Sequence, residues 1–244
     1  MKSGTQFACS VLSYLLAATS VSAQPQNKLP TNDEIIARMA EAQADNRTHF
    51  LPYIVTRDYK LFEGDNRDQA RTHVVANITV MPADSKKYTI ETADGSMLGE
   101  AIVRKMLDGE VALAKDSAST DITSENYDFR LVREDESDGQ QCYELEMVPK
   151  RKSKSLIRGT IWVDAHTYLP QRVEGKPGAS PSFWATDVHI ALRYGYIATM
   201  WMQTSSEATA TVRILGRSTI ISEDVKYQMG SADPAIMLQI GRTK

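Results

Sequence analysis

Cysteine is nearly missing from this sequence of 244 residues, which has two, Cys9 and Cys142. Cys9 lies in an apolar stretch read below as a leader, so Cys142 has no partner within the mature chain. That excludes an internal disulfide and leaves the hydrophobic core to hold the fold. Long apolar runs are lacking too. Phe7 to Ala18 is about a dozen residues long, is interrupted by Ser10 and Ser13, and falls short of the roughly 20 that a spanning helix requires. The motifs of much enzyme chemistry are absent: there is no GxSxG elbow, HExxH, CxxC, glycine-rich phosphate loop or dinucleotide fingerprint. His49, His73, His166 and His189 are scattered with no pair at ligand spacing on one helix. No cofactor and no metal are expected. An excess of positive charge is also missing: the formal net charge is -3, which argues against nucleic acid as a partner, because phosphate binding requires a basic surface.

The N-terminus reads as an export signal. Lys2 supplies a positive start, Phe7 to Ala18 an apolar centre, and Val21-Ser22-Ala23 the small residues of a cleavage site. Cleavage after Ala23 removes Lys2 and moves the formal net charge from -3 to -4. Cys9 is a poor lipid-attachment site, since Gln6 stands where an apolar residue is expected. The reading is a soluble periplasmic protein, a monomer, with residues 1–23 as signal peptide, 24–30 as linker, 31–229 as one domain and 230–244 as a C-terminal tail.

Thr31 followed three residues later by Glu34 is a capping box, and Ile35, Met39 and Ala42 then share a helical face, so a helix of about four turns is predicted to end near Asn46. Alternation over Tyr53 to Leu61 and Val74 to Val80 predicts a hairpin, with a third strand at Tyr88 to Thr92. Met97 to Ala114 is ambiguous. Leu98, Ile102 and Met106 have helical spacing, yet Gly99 and Gly109 weaken a helix, and a strand pair split at Asp108-Gly109 is an equal alternative. The strand period resumes at Tyr127, Phe129 and Leu131, and Asp138-Gly139 turns the chain into a meander: Tyr143, Leu145 and Met147 alternating with Glu144 and Glu146, then Ile157 to Val163, then Leu169 to Glu174. Further strands follow at Val188 to Tyr194, around Met200 to Thr211, and at Ser218 to Tyr227. About ten strands without parallel crossovers predict a mainly β (α+β) fold: one large curled antiparallel sheet, a half-closed barrel with helices covering its concave side.

Such a sheet offers an apolar hollow. Candidate lining residues are Tyr143, Leu145, Met147, Ile161, Val163, Val188, Ile190 and Leu192, with Ile35 and Met39 on the lid; the alternative for each is packing in a core. Glu144 and Glu146 share a strand face and could serve as an acid/base pair or be a solvated surface. Cys142 has no basic neighbour in sequence to activate it. Lys150, Arg151, Lys152 and Lys154 crowd one hairpin tip, a candidate contact for anionic head groups or an acidic partner, or a solvated loop.

The runs YELEMVPKRKSK, IRGTIWVDAHTYLPQRVEG and PSFWATDVHIALRY resemble periplasmic proteins described as outer-membrane lipoprotein-sorting proteins, relatives of the LolA and LolB carriers and of the RseB-type sensor. The resemblance extends from about Asn32 to Tyr227. It implies a half-barrel plugged by helices, an acyl-chain cavity, and a carrier or sensor of lipids or lipoproteins without catalysis, whose partners include an inner-membrane transporter or an outer-membrane acceptor. Two other readings stay open: a regulatory module that binds a partner protein through its sheet, and a hydrolase using His189 or the Glu144/Glu146 pair.

Overall fold

A computed structural model describes residues 29–81, 85–180, 185–213 and 215–230. Contacts divide the chain into Met1–Pro30 and Thr31–Lys244, and the architecture below is that of the second unit. The expected leader, linker residues 24–28 and tail residues 231–244 lie outside the described residues.

Along the chain come helix α1 (Asn32–Thr48), strands β1 (Tyr53–Glu63), β2 (Thr72–Met81) and β3 (Ser85–Gly95), helix α2 (Met97–Ala114), a 3-10 turn at Ser117–Ser119, and strands β4 (Tyr127–Ser137), β5 (Gln140–Pro149), β6 (Ile157–Asp164), β7 (Pro170–Pro177), β8 (Ala185–Ile197), β9 (Met200–Val212) and β10 (Gly216–Met229). The ten strands form one sheet in the order β3-β2-β1-β10-β9-β8-β7-β6-β5-β4. Each neighbouring pair is antiparallel. Pairing of β1 with β10 joins the two ends of the domain, and β3 and β4 remain as edges, so the sheet is an open, curled half-barrel.

Local chemistry explains the meander. Asp138 and Gly139 both have positive φ, 51° and 80°, the requirement of a tight two-residue hairpin between Ser137 and Gln140. In β5, Tyr143, Leu145 and Met147 are buried while Glu144 and Glu146 turn outward to Arg133 and Arg130, which fixes the register, since a one-residue slip would bury the carboxylates. At β6–β7 the sheet pinches at two facing glycines, Gly159 and Gly175. A Cβ on Gly159 would stand 1.9 Å from the Glu174 carbonyl oxygen.

The concave side holds two cores, each beneath one helix. The first gathers Ile35 and Met39 of α1 with Tyr127, Phe129, Tyr143, Leu145, Met147, Leu156, Ile161, Val163 and Val173. The second sets Val103 and Leu107 of α2 on Val55, Tyr59, Leu61, Val74, Ala76, Ile78 and Ile220. α1 begins as the capping box predicts: Glu34 N–H donates to Thr31 Oγ1 at 3.3 Å and Thr31 N–H donates to Glu34 Oε2 at 2.7 Å. The Met97–Ala114 ambiguity resolves as a single helix capped by Ser96. Gly99 is there for packing, because a Cβ would meet Thr72 Oγ1 at 2.0 Å, whereas at Gly109 a Cβ would meet nothing within 4 Å.

Candidate functional site

The ladder between β9 and β10 runs from Gly216↔Val212 to Glu223↔Ser205 and stops, so the first residues of β9, Met200–Thr204, have no β10 partner. The end of α1 and the segment after it enter this gap. Asn46 Nδ2 donates to the Trp201 carbonyl at 2.8 Å and Asn46 Oδ1 accepts from the Trp201 N–H at 2.8 Å. The Leu51 N–H reaches Met200 Sδ at 3.2 Å. At the other end of α1, Asn32 repeats the device on edge strand β4, donating to the Phe129 carbonyl at 3.3 Å and accepting from the Leu131 N–H at 2.8 Å.

Of the crevices at the α1 terminus, two share a border. The larger, about 480 Å³, is walled by Phe50, Leu51, Tyr53, Val80, Met81 and Ala114, with Arg47, Ser85, Lys86, Ser117 and Asp121 as its polar members. The second, about 230 Å³, lies among Gln43, Asn46, Thr120, Ile122, Leu169, Pro170, Tyr194 and Trp201. Arg47 and Asp121 border both and stand 3.6 Å apart with both side chains well exposed, so the partition is a surface ion pair of little strength.

Beneath α2, a buried charge cluster borders the larger crevice. Arg57, a residue 9 % exposed, donates through Nε to Asp224 at 2.5 Å and through one terminal nitrogen to both oxygens of Glu110 at 3.1 Å. Lys86 adds a contact to Glu110 at 3.1 Å, and the Tyr227 hydroxyl donates to Asp224 at 2.7 Å. Burial alone would push the Glu110 carboxyl up, but Arg57 and Lys86 outweigh it and hold it below the ordinary carboxylate value. Burial likewise pushes the Tyr53 hydroxyl up to about 12. The cluster therefore fastens the C-terminal half of α2 to β1, β3 and β10.

Of the residues read from sequence as lining a hollow, Ile35, Met39, Tyr143, Leu145, Met147, Ile161 and Val163 come together in the first core, and Leu192 packs on its margin. Ile190 faces Gly175 across β7–β8. Val188 is half-buried within the irregular stretch between Thr186 and His189. None of these ten borders either crevice. Glu144 and Glu146 are each paired with an arginine on the outer face. Cys142 is buried, and its thiol, which donates to Gln171 Oε1 at 3.2 Å, is pushed up to about 11 by burial. Among the described residues no group of three or more His, Cys, Asp or Glu side chains is placed to hold a metal. The crevice residues Phe50, Leu51 and Asp121 sit in connections without period, so hydrophobic patterning gives them no signal; only their position after the capped helix points to them.

Residues 104–233, more than half of the chain, match a family model described as "Uncharacterized protein". No curated protein matches. Among solved structures, the chain is similar to a putative outer membrane lipoprotein-sorting protein domain from Vibrio parahaemolyticus, with 14% identity, 83% of this chain and 95% of that chain covered, and a TM-score of 0.45. It is also similar to a LolA superfamily protein from Nitrosomonas europaea, with 12% identity, coverage of 85% and 97%, and a TM-score of 0.46. A DUF1329 family protein from Desulfovibrio piger matches at 14% identity, coverage of 82% and 94%, and a TM-score of 0.43.

Proposed function

We propose that this chain, which belongs to the uncharacterized-protein family matched by residues 104–233, is a non-catalytic periplasmic protein that shelters the acyl chain of a lipid or lipoprotein as carrier or sensor. One observation carries the reading: the crevice of about 480 Å³, walled by Phe50, Leu51, Tyr53, Val80, Met81 and Ala114, opens where the α1 terminus meets the sheet. Its volume falls in the range of roughly 300–1,000 Å³ of sites that hold small apolar molecules. Arg47 and Lys86 at its border suit an amphiphile with an anionic end.

The energetic need is clear. A chain of about 15 methylenes entering water costs on the order of 12 kcal/mol at about 0.8 per methylene, and an apolar crevice removes much of that cost. In this reading Ile35, Met39, Tyr143, Leu145, Met147, Ile161, Val163, Val188, Ile190 and Leu192 form the reserve surface that a longer chain meets when α1 lifts. The export signal and the resemblance in the meander support a periplasmic site of action between an inner-membrane donor and an outer-membrane acceptor. The arginine pairing of Glu144 and Glu146 supports the absence of catalysis by those two carboxylates.

The test is titration of the mature protein with cis-parinaric acid. A saturable rise in fluorescence is expected, weakened at least tenfold in Leu51→Glu or Met81→Glu, because each puts a charge into the apolar wall. Absence of binding, or binding indifferent to both changes in proteins that fold normally, would sink the reading.

A further inference from the structure

The hairpin tip between β5 and β6 uses its four cations in two ways. Lys150 and Arg151 point back to the protein: Lys150 Nζ donates to the Ser124 carbonyl at 2.6 Å, and Arg151 donates to Asn126 Oδ1 at 2.6 Å and to the Ser119 carbonyl. Asn126 passes the tie onward, donating to the carbonyls of Ala118 and Asp121 at 2.8 Å each. The connection from α2 to β4, residues 115–126, is thus tied down by the tip. The same connection supplies crevice wall, through Ser117 and Asp121 on one side and Thr120 and Ile122 on the other.

Lys152 and Lys154 are exposed and, among the described residues, no carboxylate pairs with them. They join a second basic pair. Arg158 of β6 and Lys176 of β7 are directly opposite across the ladder and exposed, and neither has an ion-pair partner among the described residues. The tip lies close to this pair: the Ser153 carbonyl oxygen is 3.0 Å from where a Gly178 Cβ would stand, and Gly178 N–H donates to the Leu156 carbonyl at 2.7 Å. Like charges facing each other across a ladder are destabilising. With Lys152 and Lys154 at the neighbouring tip, this end of the sheet carries four exposed cations without a carboxylate partner among the described residues.

We propose that Lys152, Lys154, Arg158 and Lys176 dock the protein on an anionic lipid bilayer, and that docking loosens the 115–126 connection and so opens the crevice. The four cations come from three segments spread over one end of the sheet, and neither crevice described above includes any of them. A broad field of charge without a groove matches a planar array of phosphates better than an extended acidic peptide. At the membrane, lipid phosphates compete with the Ser119, Ser124 and Asn126 oxygens for Arg151 and Lys150, since a charged acceptor makes the stronger bond. Each cation near an anionic surface contributes roughly a fivefold gain in binding. The docking part stands by itself, whereas its use in loading or release rests on the acyl-chain reading.

The experiment needs no acyl ligand, so its result is separable from the parinaric acid titration. Mature protein is sedimented with phosphatidylglycerol/phosphatidylcholine vesicles and with pure phosphatidylcholine vesicles, at low and at physiological salt, while hydrogen exchange is followed over residues 115–126. The expected result is binding to the anionic vesicles alone, weakening as salt rises, with faster exchange in the connection of the bound protein. Lys152→Glu/Lys154→Glu should weaken binding at least tenfold while leaving the circular dichroism and melting curve unchanged. Lys176→Glu, which replaces a like-charge pair by an opposite one, should weaken binding yet raise the melting temperature. Equal binding to neutral vesicles, no loss in either variant, or binding of a poly-glutamate peptide in place of vesicles would overturn the docking claim. Unaltered exchange in 115–126 on bound vesicles would overturn the coupling to the crevice.

Discussion

Asn46 binds Trp201 as a neighbouring strand would, donating to its carbonyl and accepting from its N–H at 2.8 Å each. A helix side chain thereby takes over strand pairing at the point where β10 has turned away from β9. With Asn32 holding β4 in the same manner, α1 is pinned at both ends over the first core. Between the two amides, Ile35 and Met39 anchor the helix in the first core, and Gln43 Nε2 donates to the Ile122 carbonyl at 3.1 Å.

Replacement of Asn46 by Ala should remove two hydrogen bonds and leave the Trp201 backbone unpaired, a loss of about 2 kcal/mol. For a domain of this size that lowers the melting temperature by roughly 4–8 °C. Amide exchange at Trp201 should accelerate more than at residues of the β6–β7 ladder. A uniform acceleration across the sheet would show that the clamp is not local.

The Glu110 carboxyl, held below its ordinary value by Arg57 and Lys86 against the effect of burial, links stability to acid. A depressed carboxylate contributes stability that is fully present above its unfolded pKa, near 4.5, and is lost as pH falls through the lower folded value. Glu110→Gln should therefore melt below the wild type at pH 7, with the difference shrinking as the pH is brought below about 4.5. Arg57→Met should be the more damaging change, by about 3–5 kcal/mol, because it leaves Asp224 and Glu110 buried without their shared cation. Melting curves from pH 3 to pH 7 check both.

Two glycines of α2 should respond oppositely to alanine. Gly109→Ala adds a methyl group to open space and should stabilise by about 0.5–1 kcal/mol through the helix propensity of alanine. Gly99→Ala would drive a Cβ to 2.0 Å from Thr72 Oγ1 and should destabilise by lifting the start of α2 off β2. Chemical denaturation of the two variants against the parent checks the signs.

These two residues also show what a sequence can and cannot reveal. Gly99 and Gly109 look identical in a helix propensity count, and both argued against α2, yet one is demanded by contact with Thr72 and the other by nothing visible. The strands were legible because the sheet has one wet face: Glu144 and Glu146 against Leu145 and Met147 can be arranged in only one way. Helix α1 was legible through Thr31 and Glu34. The crevice was not, because a two-residue period identifies the side of a strand that is buried without telling packed core from open wall. Tyr143, Leu145 and Val163 therefore read the same as cavity lining would, while Phe50, Leu51 and Asp121 lie in connections whose placement depends on the divergence of β9 from β10.

Cys142, on the opposite face of β5 from the first core, gives a check on the packing around Gln171. Its thiol is 1 % exposed and pushed up to about 11 by burial, so at pH 8 it is protonated and inaccessible. A folded chain lacking residues 1–23, and so Cys9, should react with Ellman's reagent only at the rate of unfolding, and at once in guanidinium chloride. Rapid reaction of the folded protein would mean that the β5–β7 side of the sheet opens readily.

The most direct test of the acyl-chain account is native mass spectrometry, with lipid extraction, of the mature protein purified from a bacterial periplasm without detergent. The account predicts adducts with the mass of a fatty acid, phospholipid or acylated peptide, reduced in Leu51→Glu. A clean ligand-free mass, together with no uptake of a fluorescent fatty acid, would contradict it and leave binding of a partner protein through the sheet as the better explanation of the fold.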